Sequence, residues 1–405
     1  MARHENKQVR QTTTETVKRG PLHGYVVVEI AAKGPAPLCA MLLADMGADV
    51  IRIERMGRGS ELSETEAGFN ILNRNRRSIG LNLKSPEGRA LALKLIGSAD
   101  ALLEGFRPGV MERLGLGPDE CLAVNPRLVY GRVTGWGREG PLAMRAGHDI
   151  NYLALSGALA AIGPRGGAPV PPLNLLADYG GGATYLAFGV VCALLEAKSS
   201  GQGQVVDVAM TDALASLMMA IQGLANAGHW RDERGNNLLD GGAPFYTTYE
   251  TLDGRYMAVG PIEPEFHAQW IERLGLPPQP PGILSDPHTW PQTKSAIQAV
   301  FKQRTQAQWC AIFDHTDACV SPVLALGEAA GHPHHQARGT YVDFAGQQQA
   351  APAPRLSRTP GSLRSGGPLA GEHAHQILEE IGIPKDEVDH LIQSGVVSAP
   401  PTQGS

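Results

Sequence analysis

Cysteine is scarce in this chain, and its spacing argues against two kinds of site. Among 405 residues there are five cysteines, Cys39, Cys121, Cys192, Cys310 and Cys319. They are odd in number and widely separated, and neither a CxxC pair nor a His-rich segment accompanies them. The pattern therefore indicates neither a disulfide framework nor a zinc site. We expect reduced thiols, no bound metal and a cytoplasmic location.

Long apolar runs and an excess of positive charge are also missing. No run of about 18 apolar residues suggests a membrane span, and residues 1–20 lack the apolar core of a signal peptide. The C-terminal residues Thr402–Ser405 do not form a peroxisomal address. A net charge of −5 at pH 7 disfavours nucleic-acid binding, which a basic surface would promote. The sequence thus predicts no membrane and no nucleic-acid partner.

The first half of the chain alternates strand-like and helix-like segments. This alternation predicts an α/β fold, a parallel sheet with crossover helices. The first strand is followed by Ala31-Ala32-Lys33-Gly34-Pro35 and not by G-x-G-x-x-G, so NAD or FAD binding is not expected. The predicted elements are strands Tyr25–Ile30, Asp49–Glu54, Ala99–Phe106 and Arg127–Thr134, a helix over Pro37–Met46, and a helix that Ser85 caps and that runs to about Gly97.

The rest of the sequence predicts further helices, a β-hairpin and a long loop. Residues 180–197 and 205–222 suggest two long apolar helices, and Asp253-Gly254 between two β-like runs predicts a hairpin. Residues 345–371 predict a loop, and helices follow near 372–381 and 385–394. The resulting division is a flexible tail over 1–20, the first part of a large domain over 21–225, a small domain over 226–330, and a return to the large domain over 331–405.

Three loops hold ionisable groups in Gly-rich or Pro-rich surroundings. They contain His148, Asp178 and Glu263. Each has an ordinary interpretation: a hydrogen-bonded structural histidine, an N-cap aspartate and an exposed loop acid. Together they fit the inversion of a stereocentre next to a thioester, which needs a base on one face and an acid on the other. The Gly-rich helix start after Asp178 would offer backbone N–H groups to the enolate.

Basic residues cluster where an anion site is expected. Ligands of open parallel sheets bind at the carboxyl ends of the strands, and arginine suits phosphate groups. A solvated basic face explains such a cluster equally well. The candidates are Arg55, the run Asn73-Arg74-Asn75-Arg76-Arg77, Lys84, Arg107 and Arg113.

At these residues the sequence resembles the family III CoA-transferases and, within them, the α-methylacyl-CoA racemases. The resemblance covers roughly residues 20–395. It is carried by ordered blocks that include LLADMGADVIRIER, NRNRRSIGLNLKS, LLEGFRPGVMERLGLGP, AGHDINYLALSG, PPLNLLADYGGG and DGGAPFYTTYETLDGRYMAVGPIEPEF.

The resemblance implies a fold and an assembly. The large domain is a doubly wound parallel sheet built from both chain ends, a smaller α+β domain is inserted, and two chains interlock as a homodimer. It also implies an acyl-CoA substrate and no metal or redox cofactor.

The resemblance implies site residues as well. In racemases the groups matching His148 and Asp178 are the two acid/base residues, and Glu263 matches the helper of the histidine. The implied substrate-binding positions are Arg55, Leu81, Lys84, Gly105, Arg107, Arg113, Gly147, Asp149 and Tyr152. For a methionine surface that carries the acyl chain the candidates are Met210, Met218 and Met219, for which core packing is at least as good an interpretation.

Two alternatives to a racemase stay open at this point. A CoA-transferase would use Asp178 as a nucleophile, although it does not need the His148 and Glu263 pair. A non-catalytic acyl-CoA binding protein is the other alternative, and retention of all three ionisable groups argues against it.

Overall fold

A seven-stranded sheet forms the centre of the part of the chain that is described. The structure is a computed structural model, and it describes residues 20–56, 70–278 and 286–400. The predicted tail therefore lies outside the described residues up to its last position, as do Thr402–Ser405. The sheet order is β12-β3-β2-β1-β4-β5-β6. Its strands are β1 Val26–Ile30, β2 Asp49–Arg55, β3 Arg76–Leu81, β4 Ala101–Glu104, β5 Val129–Thr134, β6 Gln204–Ala209 and β12 Val397–Ser398.

The direction of the strands gives the sheet a doubly wound topology. Neighbours from β3 to β6 pair in parallel, whereas β12 pairs antiparallel with β3 and returns the C-terminal end of the chain to the large sheet. The inner strands are buried on both faces, which is why β1 and β4 are apolar except for the buried Glu29 and Glu104. The order reverses at β1, which lies between β2 and β4, and this position is where such sheets bind ligands.

Helices cover both faces of the sheet. Those of the first half are α1 Pro35–Asp45, α2 Pro86–Gly97, α3 Val110–Arg113, α4 Pro118–Val124, α5 Asp149–Ser156, α6 Ala158–Ala161, a π-helix at Leu175–Ala183, α7 Thr184–Ser200, α8 Met210–Leu217 and α9 Met219–Asn226, with a 3₁₀ turn at Asn70–Asn73. The later ones are α10 Pro264–Arg273, α11 Trp290–Phe301, α12 Gln306–Phe313, α13 Leu326–Ala329, α14 Pro333–Arg338, α15 Ala374–Glu380 and α16 Lys385–Gln393.

Each face of the sheet has its own apolar core. One core joins the sheet to α1, α5, α7 and α8, and the other joins it to α2, α4, α15 and α16. The predicted cap of α2 is confirmed, because the Ser85 hydroxyl accepts the Gly88 N–H at 3.0 Å. This placement leaves the carboxyl ends of β1 to β6 free to form a site.

A third core belongs to a small three-stranded sheet and its helices. Its strands, in the order β7-β8-β9, are Thr247–Glu250, Tyr256–Val259 and Val320–Pro322. The predicted hairpin is confirmed, and Gly254 supplies the positive φ of 74° in its turn. The largest side chains of this core are Trp270, Phe301 and Trp309, which come from α10, α11 and α12. Its buried residues lie between 243 and 318, inside the range predicted for the small domain, whose limits stay predictions.

The sequence analysis missed one strand and gave two wrong assignments. The missed strand is β3, which begins at Arg76 within the basic run. Residues 205–209 begin no helix; they belong to β6, whose alternating pattern QVVDVA suits a strand. The predicted loop after 345 contains β11 Gln347–Ala350, which pairs with β10 Tyr341–Phe344 across a short turn.

The helical run Leu175–Ser200 also corrects an expectation. The run has 26 residues, and its most apolar window of 18 residues has a mean hydropathy of 1.4, enough in length and composition for a membrane span; 44% of that window is buried inside the structure. The inner side chains of α7 pack on the sheet, whereas Phe188, Val191 and Leu195 form an exposed apolar stripe. Core helices of soluble proteins satisfy the same measure, so this composition alone assigns no membrane.

Candidate active site

A cavity of about 1030 Å³ opens at the carboxyl ends of the sheet strands. Its walls include the loops after β1, β4 and β5, at residues 31–35, 105–108 and 135–136. It therefore lies at the reversal of strand order, as the topology of the sheet requires. His148 and Asp178 line the cavity together, so the structure brings these two candidates to one site.

His148 precedes helix α5 and faces the cavity. Its backbone N–H donates to Asn151 Oδ1 at 3.0 Å, and its carbonyl accepts the Asn151 N–H at 2.8 Å. These two bonds fix the first turn of α5 and with it the direction from which the imidazole enters the cavity. The side chain is exposed, which leaves it free to exchange protons with a bound ligand.

Asp178 does not cap a helix, which was its ordinary interpretation; it lies in the first turn of the π-helix. The N-cap residue is Asn174, and the π-helix continues into α7. Glycine is required where this segment meets α1, because a Cβ on Gly182 would lie 2.7 Å from Pro35 Cβ. π-helices are rare and concentrate at functional sites. Here the wide turn lets Asp178 line the cavity while Ala177 stays fully buried.

Partial burial raises the pKa of the Asp178 carboxyl above its ordinary value. Burial is the largest cause, and the negative charge of Asp149 adds to it. A hydrogen bond from the Asn174 side chain and the charge of His148 lower the pKa again, without cancelling the first two effects. Asp178 thus holds a proton more readily than an exposed aspartate, as proton exchange near neutral pH requires.

Asp149 lies beneath the cavity and not in its lining. Its side chain is 6% exposed, and its Oδ2 accepts the N–H groups of Ala177 and Asp178, both at 2.8 Å. These two amides are therefore already paired. The donors that the sequence analysis suggested for an enolate lie in the Gly-rich segment after Asp178, and their role stays a prediction. The substrate-binding role that the resemblance implies for Asp149 stays a prediction, with no cavity contact of its side chain to support it.

Tyr152 and Gly147 support the loop in front of His148. The Tyr152 hydroxyl donates to the Gly147 carbonyl at 2.5 Å, and its ring meets Trp136 edge-on at 4.7 Å between ring centroids. A Cβ on Gly147 would lie 2.7 Å from Tyr152 Cε1, so only glycine fits there. Both residues line the cavity.

Cationic side chains border the cavity where phosphate groups were expected. Every predicted CoA position lies in the lining: Arg55, Leu81, Lys84, Gly105, Arg107 and Arg113. Sequence reasoning missed Lys33 and Arg145, which also line the cavity. Their positions in the sequence could have identified them, because Lys33 follows β1 and Arg145 lies shortly before Gly147.

The arginine run before and in β3 serves the fold and not the cavity. Arg74 Nη2 pairs with Asp45 Oδ2 at 2.6 Å, and both side chains are buried. Arg76, which is fully buried, lies 3.2 Å from Glu29 Oε2, measured from Nη1. Arg77 pairs with Asp49 and Glu380. The candidate anion site at 73–77 was therefore wrong: carboxylates of this chain already neutralise its three arginines.

The structure does not place Glu263 in the cavity that His148 lines. It precedes α10 and is exposed, and it is absent from the cavity lining. Of the candidate methionines, Met210 lines the cavity, whereas Met218 and Met219 do not, and Met219 is 65% exposed. The described residues contain no group of three or more His, Cys, Asp or Glu side chains suited to hold a metal.

Known proteins resemble this chain over nearly its whole length. The model of CoA-transferase family III matches residues 22–374. The α-methylacyl-CoA racemase of Mus musculus is 45% identical over 380 residues, covering 93% of this chain and 98% of that protein. The α-methylacyl-CoA racemase of Homo sapiens is 44% identical over 386 residues, covering 93% and 99%. A crystal structure of a CAIB/BAIF family protein from Brucella suis matches with a TM-score of 0.76 at 25% identity, covering 90% of this chain and 100% of that one.

Proposed function

The chain belongs to CoA-transferase family III, and from this premise we propose that it is a racemase that interconverts (R)- and (S)-2-methylacyl-CoA thioesters. The observation that carries the proposal is the presence of His148 and Asp178 in one cavity. The names of the mouse and human relatives support the same activity.

Two-base proton transfer explains how this pair would act. One group removes the α-proton, which leaves an enolate, and the other donates a proton to the opposite face. The raised pKa of Asp178 suits it to both tasks, and histidine changes protonation near neutral pH. The N-terminus of α5, next to His148, carries partial positive charge that favours the enolate. The reaction moves protons without a change of oxidation state, so it needs no redox cofactor. We propose that it uses no metal either.

The cationic border fits the CoA part of the substrate. Arg107 and Arg113 follow β4, and Lys84 follows β3, so all three lie at the carboxyl end of the sheet. Within the described residues none of them has an ion-pair partner, which leaves them available for phosphate groups. The acyl end would then point toward His148 and Asp178.

A second copy of the chain would complete the site. Glu263 does not line the cavity that holds His148 of its own chain, so we propose that it acts on His148 of an interlocked partner. Exposed large apolar side chains support an interface between copies, because such side chains are often covered in an assembly. They include Leu155, Phe188, Leu195, Leu217 and Met219. This interface would also cover the outer stripe of α7.

A CoA-transferase is the second candidate function. The family model and the placement of Asp178 in the cavity favour it, because a carboxylate there is able to attack a thioester carbonyl. Hydroxylamine added with acyl-CoA separates the two activities. An Asp178 hydroxamate detected by peptide mass spectrometry would support the transferase, and an unmodified Asp178 under turnover would support the racemase.

Proton exchange in D₂O tests the racemase directly. Purified protein is mixed with (S)-2-methylacyl-CoA, without any second acid or CoA acceptor, and ¹H NMR follows the α-proton. We expect loss of that signal together with formation of the (R) epimer. An α-proton that persists across several branched thioesters would contradict the proposal, and free carboxylic acids would then be added to look for CoA transfer.

A further inference from the structure

A buried carboxylate connects the two halves of the proposed acid/base pair. Asp149 directly follows His148 and is the first residue of α5. Its side chain leaves the cavity wall and reaches the π-helix, where Oδ2 accepts the amides of Ala177 and Asp178 at 2.8 Å each. One oxygen thus binds two consecutive amides of the turn that carries Asp178.

These two bonds replace a cap that the π-helix lacks. The first amides of any helix have no partner within the helix. Asn174, at the N-cap position, makes no capping bond with its side chain. Asp149 supplies the acceptor from another element 28 and 29 residues away in sequence. Since a buried amide without a partner is costly, the Asp149 carboxylate fixes where the first turn of the π-helix lies.

We propose that Asp149 is a positioning residue, whose buried carboxylate ties the Asp178 turn to the start of the helix that carries His148 and so holds the two proton-transferring groups in register. The inference rests on the proposed racemase function. It goes beyond that function because it assigns a task to a carboxylate that touches neither the cavity nor, in this arrangement, the substrate.

Electrostatics supports the same assignment. After burial, the charge of Asp149 is the largest cause that raises the pKa of Asp178. His148 opposes it, and Tyr152 of α5 also interacts with Asp178. Other elements packed against the π-helix also carry charged residues. Asp212 of α8 is exposed. Asp45, at the far end of α1, pairs with Arg74, and Arg132 of β5 pairs with Glu104. Asp149 is therefore the acid whose removal should change Asp178 most.

Asp149→Asn separates the effect of the negative charge of Asp149 from the effect of its hydrogen bonds. The amide oxygen still accepts backbone N–H groups, whereas the negative charge is lost, so the pKa of Asp178 should fall. Exchange needs one proton on the His148–Asp178 pair, and activity is lost at low pH when both groups hold one. We therefore expect the acid limb of the kcat/KM profile to move to lower pH in both directions of the reaction.

Asp149→Ala tests the tether itself. Loss of the acceptor should displace the Asp178 turn and lower kcat about 10- to 100-fold, the scale of a small misplacement of a reacting group. KM should stay within about twofold, because Asp149 does not line the cavity. Asp149→Asn should restore most of this loss in kcat at the pH optimum. If the alanine variant does not fold, the profile of Asp149→Asn decides alone.

Asp45→Asn is the matched control. Asp45 is also buried and binds Arg74 and Asn75, and none of these three residues lines the cavity. Its replacement should lower the melting temperature and leave the acid limb unchanged, which separates a loss of stability from a change at Asp178.

A titration independent of activity distinguishes failure of this inference from failure of the racemase proposal. ¹³C NMR of protein labelled at the aspartate carboxyl carbons, with the Asp178 signal assigned by Asp178→Asn, should show a lower Asp178 pKa in Asp149→Asn than in the parent. An unchanged Asp178 titration, or an unmoved acid limb in an active variant, would overturn the positioning role. A parent protein without α-proton exchange would overturn the racemase and leave the titration to decide the role of Asp149.

Discussion

Two sets of basic side chains lie close together in the sequence and do different work. The rim set, Lys84, Arg107 and Arg113, lines the cavity and has no ion-pair partner within the described ranges. The β3 set, Arg74, Arg76 and Arg77, is paired with carboxylates of the same chain. The two sets differ in their neighbours. A basic side chain that pairs with a carboxylate of the same chain stabilises the fold, whereas one without such a partner is available to bind a ligand.

The same contrast separates two aspartates. Asp178 has one face in the cavity and a raised pKa, whereas Asp149 is buried and accepts two backbone amides. Groups that face the cavity should therefore control turnover and substrate binding. Groups beneath it should control stability and alignment. Variants in each set test this division.

The largest effect is expected from the acid/base pair. His148→Ala and Asp178→Ala should each lower the rate of epimer interconversion about 10²- to 10⁴-fold, because each removes one positioned proton donor or acceptor. Melting temperatures should change little, since both side chains face the cavity. Near-normal turnover measured by NMR in either variant would contradict the two-base scheme.

The next largest effect should follow from Arg76→Met, which breaks a buried ion pair. Removal of the guanidinium leaves the fully buried Glu29 with Arg52 as its remaining partner. The free energy of unfolding should fall by about 3–5 kcal/mol, the usual cost of losing one partner of a buried pair. Denaturant titration measures the change. A stable variant with a raised KM would place Arg76 with the rim set instead.

Arg107→Ala should act on binding. Loss of a charge-assisted contact with a phosphate group costs about 1.5–3 kcal/mol, or roughly 10- to 100-fold in affinity. KM for the acyl-CoA should rise by much of this factor, with a smaller change in kcat, because a remote phosphate contact is held in both ground and transition states. Steady-state kinetics with 2-methylacyl-CoA measures both constants, and an unchanged KM would remove Arg107 from the CoA site.

The smallest effect is expected at the edge of the β3 set. Glu380, which is half-exposed, pairs with Arg77 at 2.6 Å. Glu380→Gln should lower the free energy of unfolding by about 0–1 kcal/mol, because exposed pairs contribute little. Thermal unfolding should detect at most a small shift in melting temperature. A loss of stability comparable to that of Arg76→Met would show that the contribution of these ion pairs does not depend on their exposure.

Local sequence patterns predicted the elements that are decided locally. The cap at Ser85, the turn at Gly254 and the strand before Ala31 depend on residues within a few positions of one another, and all three are confirmed. The failures came where distant partners decide. Strand β3 was missed and its basic residues were wrongly assigned to an anion site, because Glu29 and Asp49, which pair with Arg76 and Arg77, belong to other elements.

The candidate site was predictable in part for the same reason. Strand ends identified the rim cations, because the carboxyl ends of parallel strands share one edge. The π-helix was not predictable, since nothing in its own sequence shows that Asp149 would supply the missing cap. The limits of the predicted domains and the contribution of a second chain stay predictions.

Epimer-selective exchange tests the two-base account most directly. Each single-site variant is incubated in D₂O with the (R) and, separately, the (S) thioester, and deuterium at the α-carbon is followed by NMR. If His148 and Asp178 face opposite sides of that carbon, His148→Ala should exchange only one epimer, with retention, and Asp178→Ala should exchange only the other. Equal exchange of both epimers by either variant would contradict the assignment of one base to each face.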